Sequence, residues 1–261
     1  MNVIVCLKQV PGTTQVKINP QTNTLIRQGI ENITNPFDTY ALEEGIRLKE
    51  RYGGKVTVIT MGPPQADKML REAISSGADE AILLSDAAFA GADTLATSYT
   101  LSRAITKIGT YDLVICGRQS IDGDTGQVAP ELAETLAIPF VAYVSKIEEI
   151  DKGQIRVQRM VEEGYEVIEM PLPAVITVVK EINVPRLPSL RGLTKAKSAV
   201  IPLWGVQELG ADKDRVGLAG SATKVTRIFF PQRVHHGEIF QGSPESQAES
   251  LINKLRESRL I

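Results

Sequence analysis

The sequence predicts an α/β fold, a parallel sheet with helices on both faces. Three observations carry that expectation. Short runs rich in Val and Ile recur through the first half of the chain, and segments with helical spacing lie between them. The runs are apolar throughout rather than at alternate positions, as strands covered on both faces require.

The runs are "VIVCLKQV" (3–10), "KVTVITMG" (55–62), "EAILLSD" (80–86), "DLVICG" (112–117) and "FVAYVSKI" (140–147). Within 38–53, Ala41, Leu42, Gly45, Ile46 and Leu48 make one apolar stripe while Glu43, Glu44, Lys49 and Glu50 stay outside it. In 66–77, Ala66, Met69, Leu70, Ala73 and Ile74 repeat the helical spacing, and Gly77 follows as a C-terminal cap. In 93–109, Leu101, Ala104, Ile105 and Ile108 do the same before Gly109. A further helix opens at 124–127 and buries Val128, Leu132 and Leu136.

Beyond residue 140 the rhythm changes. Strand-like runs are separated by turn signals at Asp151-Lys152-Gly153 and Glu163-Gly164 with no helix between, which predicts an antiparallel hairpin extension at a sheet edge. Residues 183–223 are punctuated by Pro, Gly and Lys and hold few long periodic segments. "TRIFFPQRVHHGEIFQG" (226–242) reads as an extended C-terminal arm that docks on another surface. A last helix starts at a Ser243-Pro244 cap and carries Leu251, Ile252 and Leu255. The expected division is an α/β domain over 1–223 and an arm with its helix over 224–261.

A net charge of -2 on 261 residues gives no electrostatic reason to expect nucleic acid or an anionic membrane. The apolar run in "MNVIVCLKQV" is too short for a signal peptide, and no segment is long enough to insert in a bilayer. Cys6 and Cys116 lie in apolar runs, so buried reduced thiols and a cytoplasmic setting are expected. Adjacent residues on an extended arm point opposite ways, so His235-His236 is read as a surface or interface pair and not a metal site.

In an open parallel sheet, ligands bind beyond the carboxyl ends of the strands. Four such ends carry distinctive residues. They are Cys6-Leu7-Lys8, then Met61-Gly62-Pro63-Pro64, then "FAGADTLATS" (89–98) with Asp93 and Thr94 as cap candidates, and finally 117–127. In the last, Gly123, Asp124, Thr125, Gly126 and Gln127 precede the helix. Amides at the positive end of a helix suit a phosphate, while Thr125 and Gln127 add neutral donors. Asp122 and Asp124 fit if one caps the helix and the other accepts from a sugar hydroxyl. Spacing alone leaves two readings open, a nucleotide cradle or a polar loop with an Asp cap. Neither a Walker pattern nor GxGxxG occurs.

"VCLKQV" (5–10), "NPFDTYALEEGIRLKE" (35–50), "VITMGPPQA" (58–66), "GADEAILLSD" (77–86) and "GRQSIDGDTGQVAPELAETL" (117–136) together resemble the beta (small) subunit of electron-transfer flavoproteins. "VQRMVEEGYEVIEMPLPAVIT" (157–177) resembles that family's signature segment, with Arg159, Glu162-Glu163-Gly164, Glu166 and Pro173 in order. "NVPRLPSL" with "KAK" (183–197) is similar to its partner-recognition loop, placed at about 183–198, in which Leu190 matches the dehydrogenase anchor. The likeness covers essentially the whole chain. It implies an adenine-nucleotide alpha-hydrolase-like sheet and a heterodimer with a larger, FAD-carrying alpha subunit onto which the arm docks. It also implies nucleotide binding by Cys6, Lys8, Asn35, Pro36, Phe37, Asp38, Met61, Gly62 and Pro63. The implied set continues through Gly117, Arg118, Gln119, Ser120, Asp122, Gly123, Asp124, Thr125, Gly126, Gln127 and Val128.

The family has two versions of this subunit, one holding structural AMP and one holding a second FAD that takes hydride from NADH. Asp38 and Tyr40, the small "DGDTGQ" loop, and "FAGADTLATSYTLS" resemble the second, in which Asp93, Thr94 and Thr97 would meet the FAD diphosphate or ribityl chain. The resemblance then implies electron bifurcation. One electron goes to ferredoxin and one to the alpha-subunit FAD, which serves a flavin dehydrogenase of acyl-CoA or 2-hydroxy acid type. It implies no catalytic acid, base or nucleophile. A rival class, a nucleotide-binding regulator or adenylating enzyme, calls for a Ser-Gly-Gly loop after the first strand. A strand-forming insertion, "KQVPGTTQVKINPQTNTLI", stands there instead.

Overall fold

The structure is a computed structural model that describes residues 1–12, 31–226 and 237–261, together with the backbone of strands 17–19 and 24–26. The chain forms two compact units, Met1–Thr226 and Arg227–Ile261.

The first unit begins with β1 (Asn2–Cys6), followed by the short strands β2 (Gln9–Pro11), β3 (Lys17–Asn19), β4 (Thr24–Ile26) and β5 (Asn32–Thr34). These pair antiparallel as β2–β5 and β3–β4, the strand-forming insertion expected after the first strand. Then α1 (Pro36–Tyr52), β6 (Lys55–Met61), α2 (Asp67–Ser76), β7 (Glu80–Leu84), α3 (Thr94–Ile108), β8 (Leu113–Gly117) and α4 (Val128–Leu136) alternate. The hairpin strands β9 (Phe140–Asp151), β10 (Gln154–Val161) and β11 (Gly164–Pro171) follow, then β12 (Ala174–Val178), α5 (Leu190–Ser198), β13 (Leu203–Trp204) and α6 (Val206–Leu209).

The main sheet has the order β11-β10-β9-β12-β8-β1-β6-β7-β13. From β9 to β13 neighbouring strands are parallel, and only β9–β10–β11 are antiparallel, forming one edge. Two cores explain the continuously apolar runs. On one face Val3, Val5, Val58 and Ile115 pack with Ala41, Ile46, Leu70 and Ile74 of α1 and α2. On the other Ile4, Ile59 and Val114 pack with Leu101, Ile105 and Leu132 of α3 and α4. Successive side chains of a strand point to opposite faces, so each strand supplies both layers.

Cys6 and Cys116 are directly opposed on the parallel strands β1 and β8; both are buried and free. The hydrogen bond with Cys6 and burial push the Cys116 thiol well above its usual range, as does the nearby Asp38 carboxyl.

Within the punctuated region 183–223, which lacks a visible long periodicity, the chain nevertheless forms α5. Ser189 caps it by accepting from the Gly192 amide at 2.9 Å, and Arg71 Nη1 donates to the carbonyls of Ala196 and Ala199 at 2.7 and 3.1 Å. Lys195 Nζ reaches the Ala78 carbonyl at 3.0 Å. Only Ala196 of the helix is buried, so no apolar stripe betrays it.

The second unit contains α7 (Pro244–Glu257), capped by Ser243, whose hydroxyl accepts from the Ser246 amide at 3.3 Å. Residues 227–236, with His235-His236 and most of the expected arm, lie outside the described residues. Among the described residues no helix is long and apolar enough to cross a membrane.

Candidate functional site

Because β1 lies between β6 and β8, the segments leaving their carboxyl ends emerge side by side. Lys8 follows β1, Met61 ends β6 with Gly62 and Pro63 beyond, and Gly117 ends β8. The start of α1 is stitched to two of these segments. The Asn35 amide donates to the Lys8 carbonyl at 2.9 Å, its side-chain nitrogen to the Gln119 carbonyl at 2.9 Å, and its side-chain oxygen accepts from the Ile121 amide at 3.2 Å.

Asp38 is the buried knot of this stitching. Its carboxylate accepts from the Lys8 amide at 2.7 Å and from Asn35 Nδ2 at 2.9 Å. Burial raises its pKa to about 7, against the opposing hydrogen bonds from Asn35, Lys8 and Gly117. Gly117 is obligatory beside it, since a Cβ there would strike Asp38 Oδ1 and come within 2.7 Å of the Phe37 carbonyl carbon.

One acid of the loop is neutralised by a cation and the other is held by an amide. Lys8 Nζ meets Asp122 Oδ1 at 2.6 Å and also donates to Ser120 Oγ at 3.1 Å. Burial raises the Asp122 pKa, but the bonds from Lys8 more than offset this and hold it below the usual carboxylate range. Asp124 has φ 54, a left-handed conformation that Asp tolerates, and its carboxylate accepts from Gln119 Nε2.

The expected Asp cap is therefore corrected. The fourth helix begins at Val128 rather than within 124–127, its N-cap is Gln127, and no side chain caps it. Both aspartates turn back into the loop. The amides of Val128 and Ala129 begin an uncapped helix whose third residue, Pro130, has no amide to satisfy. Gly123, Thr125 and Gln127 are exposed beside it, and Gly126 takes φ 63.

Asp93 caps α3, accepting from the Ala96 amide at 3.0 Å, while its other oxygen holds the Thr223 amide at 2.8 Å. Thr94 Oγ1 donates to Glu131 Oε1 at 3.0 Å, joining the starts of α3 and α4. Thr97 lies one turn further along, half-buried. Glu131 escapes sequence reasoning because an acid in a first helical turn is unremarkable there. Among the described residues its Oε2 is buried without a partner; burial raises its pKa, the bond from Thr94 opposes that, and the Asp93 charge adds to the rise.

Arg118 stacks with Phe37 and Tyr143 at the carboxyl edge, its Cζ 5.9 and 5.3 Å from the ring centroids. Tyr143 has no sequence signal, yet it holds φ 61.

Leu190 belongs to another place in the fold. It opens α5, which packs on α2, and is 85% exposed; Val184 and Leu187 near it are also exposed. Arg186 fastens this segment to α1. It donates from Nε to Glu43 at 2.8 Å and from Nη1 to Glu50 at 2.6 Å, while Asn183 donates to Glu44 at 2.9 Å.

Residues 22–209 match the family described as electron transfer flavoprotein domain. The chain is 50% identical, over 100% of both chains, to an electron transfer flavoprotein subunit beta of Thermoanaerobacterium thermosaccharolyticum. It is 48% identical, over 100% of both, to the caffeyl-CoA reductase-Etf complex subunit CarD of Acetobacterium woodii. It is 44% identical to protein FixA of Azotobacter vinelandii, over 98% of this chain and 94% of that one.

Proposed function

The chain belongs to the electron transfer flavoprotein family as a beta subunit, and from that premise we propose that its cradle binds FAD and receives reducing equivalents from NADH. The observation that carries this reading is the uncapped start of α4 beside an open glycine loop in which Lys8 neutralises Asp122 and Gln119 hydrogen-bonds Asp124. Amides without a side-chain cap and a helix dipole suit a diphosphate, and Lys8 offsets the Asp122 charge that would repel it. Space is available at Gly123, where an added Cβ would meet nothing nearer than Ser120 Oγ at 3.5 Å.

When bound, FAD would supply hydride acceptance from NADH and single-electron delivery to ferredoxin and to the FAD of the alpha subunit. The residues of this chain bind, orient and exclude water. Asn35 and Asp38 hold the loops after β1 and β8 in register, and Thr94 with Glu131 fixes α3 against α4. The segment over 183–198, with Leu190 exposed, serves a flavin-dependent dehydrogenase of acyl-CoA or 2-hydroxy acid type. The likeness to a subunit of a caffeyl-CoA reductase complex favours the acyl-CoA type. Residues 224–261 serve as the arm toward the alpha subunit, and the free buried thiols suit a cytoplasmic setting.

The test is nucleotide content. Purified with its alpha subunit and denatured, the complex is expected to release two FAD per heterodimer. One FAD with one AMP would overturn the NADH-linked reading and leave an AMP-holding electron carrier.

A further inference from the structure

Tyr143 is a tyrosine in left-handed backbone, a conformation uncommon outside glycine, and its position explains what the departure achieves. In the pairing of β9 with β12, the register passes from Val141↔Ile176 to Val144↔Val178, so Ala142 and Tyr143 oppose Thr177 alone. The Thr177 hydroxyl accepts the Tyr143 amide at 3.1 Å. Such bulges re-aim side chains. Val178 pairs with both Val144 and Gly117, which puts the bulge level with the residue preceding Arg118.

The re-aimed ring lies 5.3 Å from Arg118 Cζ, and Phe37 lies 5.9 Å from the same atom. Arg118 Nε donates to Gln119 Oε1 at 2.8 Å, which orients the guanidinium further. No carboxylate among the described residues pairs with Arg118, and its two terminal nitrogens make no hydrogen bond there. The cradle's other base, Lys8, is spent on Asp122. An oriented guanidinium with an open fork is suited to a phosphate, which it binds through two parallel bonds.

We infer that Phe37, Arg118 and Tyr143 form a built seat for a nucleotide phosphate at the rim of the cradle. The seat rests on the proposed function. Its phosphate comes either from the resident nucleotide or from the arriving NADH, and one experiment separates the two sources.

The full chain, produced with its alpha subunit, is compared with Arg118→Met, Arg118→Lys, Tyr143→Asn and Tyr143→Phe. Two quantities are read: nucleotide released on denaturation after dialysis, and the Kd for NAD+ by calorimetry. Arg118→Met is expected to weaken one of them by about tenfold or more, the effect of losing a charge-assisted bidentate contact. Arg118→Lys should recover part of the loss, because it restores charge without the fork. Asn tolerates left-handed backbone, so Tyr143→Asn removes the ring without adding strain, and about a two- to fivefold loss in the same quantity is expected. Tyr143→Phe should match the parent.

Loss of retained nucleotide assigns the seat to the resident ligand, and a raised NAD+ Kd assigns it to the arriving one. A folded Arg118→Met protein unchanged in both overturns the seat and leaves the proposed function standing. A parent protein that neither releases nucleotide nor binds NAD+ overturns both.

Discussion

Lys8 and Asp122, 114 residues apart, close across the mouth of the cradle with Nζ 2.6 Å from Oδ1. Their side chains are 47% and 30% exposed, so the pair adds about 1 kcal/mol at most to stability. Its value lies in charge. Lys8→Ala should leave thermal stability nearly unchanged and lower nucleotide retention by about tenfold, since Asp122 would then face the phosphate. The double variant Lys8→Ala with Asp122→Ala should regain part of that loss. Retention equal to the parent in the single variant would refute the neutralising role.

Gly123 has room for a side chain, and on the proposed function that room belongs to the ligand. Its added Cβ would stand 3.5 Å from Ser120 Oγ and 3.9 Å from Lys8 Nζ, both ordinary contacts. Gly123→Val should therefore fold normally and emerge with cradle nucleotide largely absent. Flavin stoichiometry measured on the folded variant checks this, and an unchanged value counts against the loop as the binding element.

Asp38 ties stability to pH. Its pKa rises from 3.8 to about 7 in the folded chain, chiefly through burial. The folded state holds the proton more tightly than the unfolded one, so this contribution is full below about 3.8 and is lost as pH rises through about 7. Relative to Asp38→Asn, the parent should lose on the order of 2–4 kcal/mol between pH 4 and pH 8. Denaturant midpoints of both proteins across that range provide the measurement. A constant difference would show that the carboxyl does not titrate there.

Arg186 carries the apolar segment from outside. Glu43 is 3% exposed, and burial raises its pKa; the bonds from Arg186 and Arg47 more than offset this and leave it lowered. Arg186→Ala would strand that carboxylate with Arg47 alone, at a cost of about 2–3 kcal/mol. Hydrogen exchange over 183–189 should accelerate and dehydrogenase affinity fall, with nucleotide content preserved. Loss of nucleotide instead would place Arg186 in the cradle's own support.

The parallel sheet was readable from the chain because each strand feeds two cores, so hydrophobicity runs unbroken through "VIVC" and "LVICG". The ends of those strands followed from topology. Other features depend on partners far away in sequence. The residues that hold α5, Arg71 and Ala78, lie more than a hundred positions upstream, and its own surface is polar save at a few positions. Asp122 finds its cation in Lys8, which is just as remote, whereas Asp124 turns to Gln119 only five positions away. Tyr143 carries no sequence signal, since tyrosine is a good strand former and its left-handed turn belongs to a bulge opposite Thr177 on the neighbouring strand.

The bare start of α4, left without a side chain to close it, has an evolutionary implication. Main-chain amides grip any phosphate alike, whether it belongs to a mononucleotide or to half of a flavin. Lineages could therefore exchange one tenant for the other by altering residues around the doorway, leaving the sheet and its helices as they were.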